Sequence, residues 1–380
     1  MVSKHNSDKY KKYEPSGFPT HYKRKERLGG DLKLGIEYRE IFNGILECDR
    51  KLNDIVLRSE DYFNLIFDAF TSNIHKSVSA EGNPLSLAGV RRTSENYFKK
   101  NESAAGLGPE QEILNHLSSH FEHINNIFKW PWTIETIKRT HATLTKNTGI
   151  EGMPGEFRTN DTVIVARDEN GTDFICMHPC YHGNIEKELE RLIEWLRSSP
   201  YDVIITAVVF FHEFESIHPF VDGNGRTGRT LFQILLRKFG LRNSKLCKFE
   251  ESILRSLELY YQLLAYTDDT LDYAPLIMYI SEALYHAYSN ALEEFEKKDA
   301  LKDMDETTKT IAKKSKGTAW FSANEASAWV PSIKQQTVRD KLNFLVAEDI
   351  LEEKGNTSSK RYRFKDPFYK EKEKMSEPNE

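Results

Sequence analysis

The 380-residue sequence predicts a mainly α-helical protein with one β-hairpin and a C-terminal winged helix-turn-helix domain. Apolar residues recur at helical spacing through most of the chain, whereas strand-like runs are concentrated between residues 157 and 177. After residue 318 the pattern becomes two helices followed by two short strands, the order typical of a winged helix-turn-helix.

The helices are predicted from the first apolar-periodic segment onward. Between about 37 and 75, residues such as Ile41, Ile45 and Leu52 recur at intervals that suit helices. Further helical patterns cover 110–128, 133–146, 184–197, 201–216, 226–239, 251–266 and 272–296.

The hairpin is predicted within residues 157–177. The run Thr162, Val163, Ile164 and Val165 and the run 174–176 flank the turn-forming sequence of residues 168–171. Two short strands, 350–353 and 361–364, are predicted in the same way near the C-terminus.

Changes in composition divide the chain into segments. Residues 1–30 are polar and basic, which predicts a loosely held arm, and 297–317 are rich in Lys, Asp, Glu and Thr, which predicts a solvated linker. The predicted division is an arm at 1–30, an N-terminal helical region at 31–109, a helical core at 110–296, the linker at 297–317, a winged helix at 318–366 and a charged tail at 367–380.

Bulk properties exclude several classes of protein. A net charge of -5 gives no overall footprint for nucleic acid. No segment offers about 18 uninterrupted apolar residues, so no membrane partner is expected. The four cysteines, too few for a disulfide framework, are interpreted as reduced thiols of a cytoplasmic protein: Cys48, Cys176, Cys180 and Cys247.

The segment 217–229 concentrates groups that suit chemistry on phosphates. His218 has an ordinary pKa of roughly 6.5, so it can accept a proton near neutrality. Asp222 is a hard oxygen ligand suited to Mg²⁺, which proteins usually hold with one or two carboxylates and substrate phosphates.

The same segment supplies a cradle for an anion. Gly223 and Gly225 allow the backbone to approach a phosphate, and the N–H groups that open the next helix point towards it. Arg226 and Arg229 can grip phosphates through several donors. Base, metal ligand, amides and cations are what phosphoryl-type transfer requires, so a nucleotide substrate is predicted.

A dinucleotide-binding turn is the competing interpretation, because Gly223, Gly225 and Gly228 also match Gly-x-Gly-x-x-Gly and the run 203–211 could be a buried strand before it. Such a turn has no need for the histidine, the aspartate and both arginines, and the surroundings lack alternating strands and helices.

The complete pattern resembles the signature of the Fic family. Its defining positions are filled by His218, Phe220, Asp222, Gly223, Asn224, Gly225, Arg226 and Arg229. The resemblance extends over roughly residues 60–290, including 132–146 as a helix and 154–158 as the start of the family's flap. It implies a Fic helical core with a β-hairpin flap.

The resemblance also implies an activity, the transfer of AMP from ATP to a Ser, Thr or Tyr hydroxyl of a target protein that the sequence does not identify. His218 would be the base, and Asp222 would hold Mg²⁺. The hairpin residues Thr162, Val163, Ile164 and Val165 would align the target chain by main-chain pairing. The implied nucleotide-binding positions are Gly223, Asn224, Gly225, Arg226, Gly228 and Arg229.

A second motif resembles the family's inhibitory sequence in its N-terminal position. Ser77 and Glu81 are four residues apart and therefore share one face of a helix. In such proteins the glutamate pairs with the last arginine of the signature, here Arg229. The alternative is a surface carboxylate near a helix C-terminus with Gly82 as its cap.

Other interpretations stay open. The fold could also remove AMP, with Glu81 positioning water, or transfer another phosphate-linked group, and homodimer formation is left open. The segment Cys176, His178, Cys180 and His182 resembles a zinc cluster, although alternate residues of an extended chain point to opposite faces. A DNA-binding regulator would use basic residues of the winged helix: Lys334, Arg339, Lys341, Lys360, Arg361 and Arg363.

Overall fold

The structure is a computed structural model, and it describes residues 7–24, 28, 32–100, 108–126, 131–149, 151–167, 171–356 and 359–367. The chain divides into two compact units, the first formed by residues 1–46 and 69–288 and the second by 47–68 and 289–380. No helix in the described ranges is long and apolar enough to span a membrane.

The described residues are mainly helical, which confirms the predicted fold class. The helices are α1 (Ile36–Asp54), α2 (Ser59–Ser79), α3 (Leu87–Lys100), α4 (Pro109–Asn126), α5 (Ile134–Thr145), α6 (Ile185–Ser198), α7 (Val203–Ile217), α8 (Asn224–Lys238), α9 (Phe249–Ile253), α10 (Leu257–Thr270), α11 (Ala274–Lys297), α12 (Glu306–Ser315), α13 (Ala323–Ser327) and α14 (Gln335–Ala347). The strands are β1 (Thr20–His21), β2 (Ile164–Arg167), β3 (Asp173–His178), β4 (Leu351–Lys354) and β5 (Arg361–Phe364).

Helix α7 lies at the centre of the first unit. Its residues from Ile204 to Phe214 are buried on every side, which explains why its sequence lacks an amphipathic pattern. The Asp202 carboxylate caps it by accepting hydrogen bonds from the N–H groups of Ile204 and Ile205. Residues 203–211 are therefore a capped, buried helix, which removes the strand that the dinucleotide-binding interpretation needs.

The helices differ from the prediction in two places. Helix α3 was not predicted, and the single helix expected over 251–266 is divided into α9 and α10. The division falls at Ser256, whose hydroxyl accepts a hydrogen bond from the N–H of Leu259 and so begins a new helix.

The first unit carries a three-stranded sheet with the order β1-β3-β2. β2 and β3 form the predicted hairpin and pair antiparallel, with an irregular register between Ile164 and Val165. β1 pairs in parallel with the other edge of β3. The predicted turn residues 168–170 lie outside the described residues.

The pairing of β1 corrects the prediction that residues 1–30 form a loosely held arm. Tyr10 is buried against Tyr279, and the N–H and hydroxyl of Ser16 both donate to Asp269. The prediction was based on the polar and basic composition of the segment. Composition does not show which individual side chains contact the rest of the protein. Residues 1–6, 25–27, 29 and 30 lie outside the described residues.

The second unit has its own core, and it corrects the prediction of a solvated linker at 297–317. Within this range α12 begins at the capping residue Asp305 and buries Ile311 and Ala312, while Leu301 is buried just before it. Lys313 and Lys314, which are among the charged residues that suggested a linker, are exposed.

The order of elements after residue 318 is helix, helix, strand, strand, as the sequence indicated. β4 and β5 pair antiparallel from Leu351 with Phe364 to Lys354 with Arg361. The designation of this part as a winged helix-turn-helix stays a prediction. Residues 357 and 358 and the tail beyond 367 lie outside the described residues.

Candidate active site

The catalytic turn, defined here as residues 217–229, joins the C-terminal end of α7 to α8. His218 adopts a left-handed backbone conformation, with φ 51° and ψ 61°, and its N–H donates to the carbonyl of Phe214 at 3.0 Å. This conformation costs a non-glycine residue on the order of 1 kcal/mol or more. The surrounding structure therefore holds His218 in a geometry that the isolated chain would rarely adopt.

Phe220 anchors the turn in the core. Its ring is fully buried and stacks on the imidazole of His141, with 3.7 Å between ring centroids and an interplanar angle of 3°. His141 Nδ1 accepts from the N–H of Gly155, and its Nε2 lies 2.9 Å from the carbonyl oxygen of Asp222. Burial lowers the pKa of His141 to about 4, so a neutral ring links the turn to residue 155.

The side chain of Asn224 holds the turn closed. Its Oδ1 accepts from the N–H of Phe220 at 2.9 Å, and its Nδ2 donates to the carbonyl of the same residue at 2.8 Å. Both polar ends of the amide are thus occupied within the turn, which gives Asn224 a structural task beside the phosphate contact predicted for it.

Asp222 and Arg226 lie at the opening of α8. Asp222 accepts from Arg226 Nη2 at 3.0 Å, and Arg226 Nη1 lies 3.3 Å from Oε2 of Glu112. The Asp222 side chain is 42% exposed, whereas that of Arg226 is buried. A single accessible carboxylate next to a helix N-terminus fits a magnesium ion whose other ligands are phosphates and water.

Ser77, Glu81 and Arg229 come together as the inhibitory motif predicts. Arg229 donates from Nη2 to the Glu81 carboxylate at 2.7 Å, from Nε to the Ser77 hydroxyl at 3.1 Å, and from Nη2 to the Ser77 carbonyl at 3.0 Å. Burial opposes the charged form of both ionic groups, yet their attraction prevails: the pKa of Glu81 is lowered and that of Arg229 is raised.

Two glycines of α8 leave room for carboxylates. A Cβ on Gly225 would lie 2.3 Å from Oε1 of Glu81, and a Cβ on Gly228 would lie 2.1 Å from Oε1 of Glu215. These distances are far below van der Waals contact. Gly225, predicted to let phosphate approach, and Gly228, a predicted nucleotide-binding position, therefore each admit an acidic side chain.

Gly223 is required for its backbone conformation and for a close contact. Its φ is 79°, in the left-handed region, and a Cβ there would lie 2.9 Å from Cγ2 of Thr145. It is the N-cap residue of α8, so its conformation aims the first N–H groups of that helix.

His218 is partly buried beside these groups. Burial lowers the pKa of its imidazole to about 4, with Arg158 acting in the same direction. The ring is consequently neutral at pH 7 and able to accept a proton.

The sequence analysis missed the roles of three residues. His141 supports Phe220, Arg158 contacts the main chain around His218, and Glu215 packs against Gly228. Burial raises the pKa of Glu215 to about 8. The sequence could have indicated Glu215, because it precedes His218 by three residues and residues at this spacing are neighbours on a helix.

The predicted target-docking residues are distributed over two parts of the flap. Ile164 and Val165 begin β2, whereas Thr162 and Val163 precede the strand. β2 pairs with β3 on one side only in the described sheet. Val165 is 54% exposed, so this edge presents main chain and an apolar side chain.

The cysteines and histidines at the end of the flap have separate contacts. The rings of His178 and His21 stack, His182 Nδ1 lies 3.0 Å from Asp161, and the Cys176 thiol donates to the carbonyl of Ile164. Among the described residues no three His, Cys, Asp or Glu side chains are arranged to hold a metal ion. The zinc interpretation has no geometric support.

Most of the basic residues considered for DNA are paired with acids. In the second unit these pairs are Lys341 with Asp305, Lys360 with Glu353, Arg361 with Glu325 and Arg363 with Glu352. The pairs offset the charge of these four side chains, and DNA binding stays a prediction.

Comparison with known proteins gives consistent matches. Residues 131–236 match the model of the Fic/DOC family. Curated relatives include proteins named protein adenylyltransferase Fic, from Drosophila willistoni at 27% identity over 220 residues and from Drosophila yakuba at 29% over 178 residues. The first match covers 57% of this chain and 40% of the relative, so the chain spans well under two thirds of that protein.

Solved structures share the fold. A Fic family protein from Desulfovibrio desulfuricans has a TM-score of 0.58 at 20% identity, over 88% of this chain and 97% of that one. Fic-1 from Caenorhabditis elegans has a TM-score of 0.50 at 17% identity, over 69% and 72%. The signature on the catalytic turn and the family match show that residues 131–236 carry a Fic domain.

Proposed function

We propose that the protein is an adenylyltransferase that transfers AMP from ATP to a Ser, Thr or Tyr hydroxyl of a target protein or of itself, and that Glu81 holds it inactive. The names of its curated relatives support the activity. The observation that carries the regulation is the 2.7 Å pairing of Glu81 with Arg229.

His218 is the base in this proposal. A ring nitrogen takes the proton of the target hydroxyl, whose oxygen forms a bond to the α-phosphorus of ATP. The bond between that phosphorus and the bridging oxygen breaks, and pyrophosphate leaves with the electron pair. A neutral imidazole suits this step, because burial lowers the pKa of His218 to about 4.

The opening of α8 binds the phosphates. Its first N–H groups and the positive end of its dipole favour an anion, and the Arg226 and Arg229 guanidinium groups add charge. Asp222 would hold Mg²⁺ together with the phosphates, and that ion would neutralise charge on the departing pyrophosphate. Positioning and neutralisation are the main contributions to such transfers.

Inhibition follows from competition for Arg229. Its guanidinium donates to Glu81 and to both oxygens of Ser77, and its side chain is buried. A terminal phosphate that needs this arginine must first displace the Glu81 carboxylate. The wild-type chain therefore binds ATP poorly in the productive pose.

The target is presented by the flap. Its outer strand β2 has one unpaired edge in the described sheet, and an extended chain can add there by main-chain hydrogen bonds. The exposed Val165 offers apolar contact to such a chain.

The test is incubation of Glu81→Gly with ATP labelled at the α-phosphate, Mg²⁺ and a cell extract. We expect labelled protein, the chain itself included, at a rate roughly 5 to 150 times that of wild type, the range of a coupling worth about 1 to 3 kcal/mol. Equal labelling by the two forms would refute inhibition by Glu81.

The double variant Glu81→Gly with His218→Ala tests the role of the base in the absence of inhibition by Glu81. It should bind ATP as Glu81→Gly does, while transfer falls by about 10² to 10⁴-fold, the usual contribution of a general base. Undiminished transfer would exclude His218 as the base.

Removal of AMP is the second candidate. The Glu81 carboxylate is near enough to influence the pKa of His218, so it could orient a water molecule in that position. Wild type, incubated with a target already modified by Glu81→Gly, would then release AMP faster than Glu81→Gly does.

A further inference from the structure

Arg158 is a buried cation with almost no acidic partner. Its side chain is 3% exposed, and the carboxylate of Asp161, 3.9 Å away, is largely in solvent. A charge removed from water must be compensated. Burial lowers the pKa of Arg158, but a guanidinium stays charged in proteins.

The compensation comes from main-chain carbonyls at the end of α7. Arg158 Nε donates to the carbonyl of His218 at 2.8 Å, and Nη2 donates to that of Ile217 at 3.4 Å. The N–H of Arg158 donates to the carbonyl of Pro219 at 2.9 Å. The carbonyls of Ile217 and His218, which accept from the guanidinium, belong to the last residue and the C-cap of α7, where unpaired acceptors and the negative end of the dipole favour a cation.

The same guanidinium holds both ends of the flap. Nη1 donates to the carbonyl of Asn160 at 2.9 Å, where the flap begins, and Nη2 donates to the carbonyl of Cys180, where it ends. The N–H of Cys180 in turn donates to the carbonyl of Ser216 on α7 at 3.3 Å. One side chain thus connects the two flap ends with the turn that carries His218.

We propose that Arg158 is a positioning residue that holds His218 and the flap in one fixed arrangement, so that a hydroxyl presented by the flap lies within reach of the imidazole. The inference rests on the proposed function for its kinetic consequence, but the structural coupling is independent of it. Lysine cannot replace this arginine, because a single ammonium lacks the planar fork that reaches several carbonyls at once.

The test compares Arg158→Lys with Arg197→Lys, both in the Glu81→Gly background. Arg197, an exposed residue of α6, is a control for the loss of an arginine contact to the main chain, since its Nη2 donates to the carbonyl of Trp132 at 2.8 Å. We expect kcat for AMP transfer to fall about 30 to 100-fold in Arg158→Lys, because a displacement near 1 Å can cost that much. KM for ATP should stay within about twofold, and Arg197→Lys should keep both constants.

Amide hydrogen exchange supplies a readout without activity. In Arg158→Lys the amides of β3 should exchange at least about tenfold faster than in Arg197→Lys, while those of α8 keep their rates. A folded Arg158→Lys with the kcat and the β3 exchange rates of its control would overturn the proposal. Absence of AMP transfer in Glu81→Gly itself would remove the proposed function and leave the exchange comparison intact.

A measurement on the unsubstituted chain covers the case in which Arg158→Lys does not fold. The Nε–H proton of Arg158 donates to the carbonyl of His218 and should exchange with solvent at least about tenfold more slowly than the Nε–H proton of Arg197. Equal exchange of the two protons would overturn the arrangement on which the proposal stands.

Discussion

The catalytic turn and the flap sheet are built in opposite ways, although both contribute to the candidate site. The turn is one continuous segment that is held by hydrogen bonds within itself, as between Asn224 and Phe220. The sheet is assembled from β1, β2 and β3, two of which are more than 140 residues apart, and it exposes apolar side chains at its outer strand. The difference fits the proposed function, in which chemistry at His218 requires a fixed geometry and a docking edge needs free main chain.

The two regions also differ in how a substitution would affect the stability of the protein. A buried donor or acceptor that loses its partner costs about 1 to 3 kcal/mol, because no water replaces the partner. Substitution of an exposed strand residue changes the free energy of unfolding little, since the side chain is already in contact with solvent. We therefore expect substitutions in the turn to affect stability and turnover together, and substitutions on the outer strand to affect target recognition alone.

Asn224→Ala should produce the largest loss of stability. It leaves the N–H and carbonyl of the buried Phe220 without their partners, so the free energy of unfolding should fall by about 2 to 4 kcal/mol. Urea unfolding of the full chain measures this. The control Asn160→Ala, an exposed residue of which only the main-chain carbonyl is used, should change it by less than about 0.5 kcal/mol; equal effects would contradict the structural role of Asn224.

Glu215→Gln tests the carboxyl of α7 that packs against Gly228, through the pH dependence of stability. Burial raises the pKa of Glu215 to about 8, with Arg229 and Glu81 as its charged neighbours. A raised carboxyl contributes stability that is complete below its ordinary pKa near 4.5 and is lost as pH rises to about 8. Wild type should therefore lose stability relative to Glu215→Gln across this window, by at most about 1.4 kcal/mol per pH unit. Parallel stability curves for the two proteins from pH 5 to 8 would show that Glu215 ionises normally.

Val165→Lys tests the docking edge. The side chain is 54% exposed, so the unfolding midpoint should hardly move. The value of kcat/KM for a protein target should fall about tenfold, because a buried valine contact worth about 1.5 kcal/mol is lost, while KM for ATP is unchanged. Phe239→Lys, an exposed apolar residue after α8, serves as the control, and an equal decrease there would argue against docking at β2.

Ser16→Ala should have the smallest effect. It removes one of two hydrogen bonds from Ser16 to Asp269 and leaves the main-chain bond in place, so we expect a loss of about 0.5 to 1 kcal/mol, confined to the N-terminal segment. Hydrogen exchange of the β1 amides should quicken, with no change in the catalytic turn. Ser198→Ala, whose hydroxyl donates within its own helix, should leave β1 unaffected, and faster exchange in the turn would show that the regions are coupled through this contact.

The contrast also explains how much the sequence predicts. The catalytic turn carries its function in consecutive residues, so His218, Asp222 and Arg229 could be identified without a structure. The pairing partner Glu81 was found because the inhibitory motif is itself local. Their catalytic and binding roles stay predictions.

What the sequence did not predict depends on contacts between distant segments. The parallel pairing of Thr20 with Met177 has no local signature, because two residues are too few to show strand periodicity. Arg158 looked like part of the flap's start, since nothing in its neighbourhood shows that its guanidinium reaches residues 180 and 218. The part of the second unit's core that lies in residues 297–317 was not predicted, because Leu301, Ile311 and Ala312 are dispersed among charged residues.

The position of β1 affects how shortened versions of the chain would behave. If residues 7–24 were deleted, the main-chain groups of β3 that now face β1 would become a second open border of the sheet, and Phe174 would lose its ring contact with Phe18. Open strand borders with apolar side chains promote aggregation. We therefore expect chains that begin near residue 32 to precipitate or self-associate during purification even though every residue of the nucleotide site is retained.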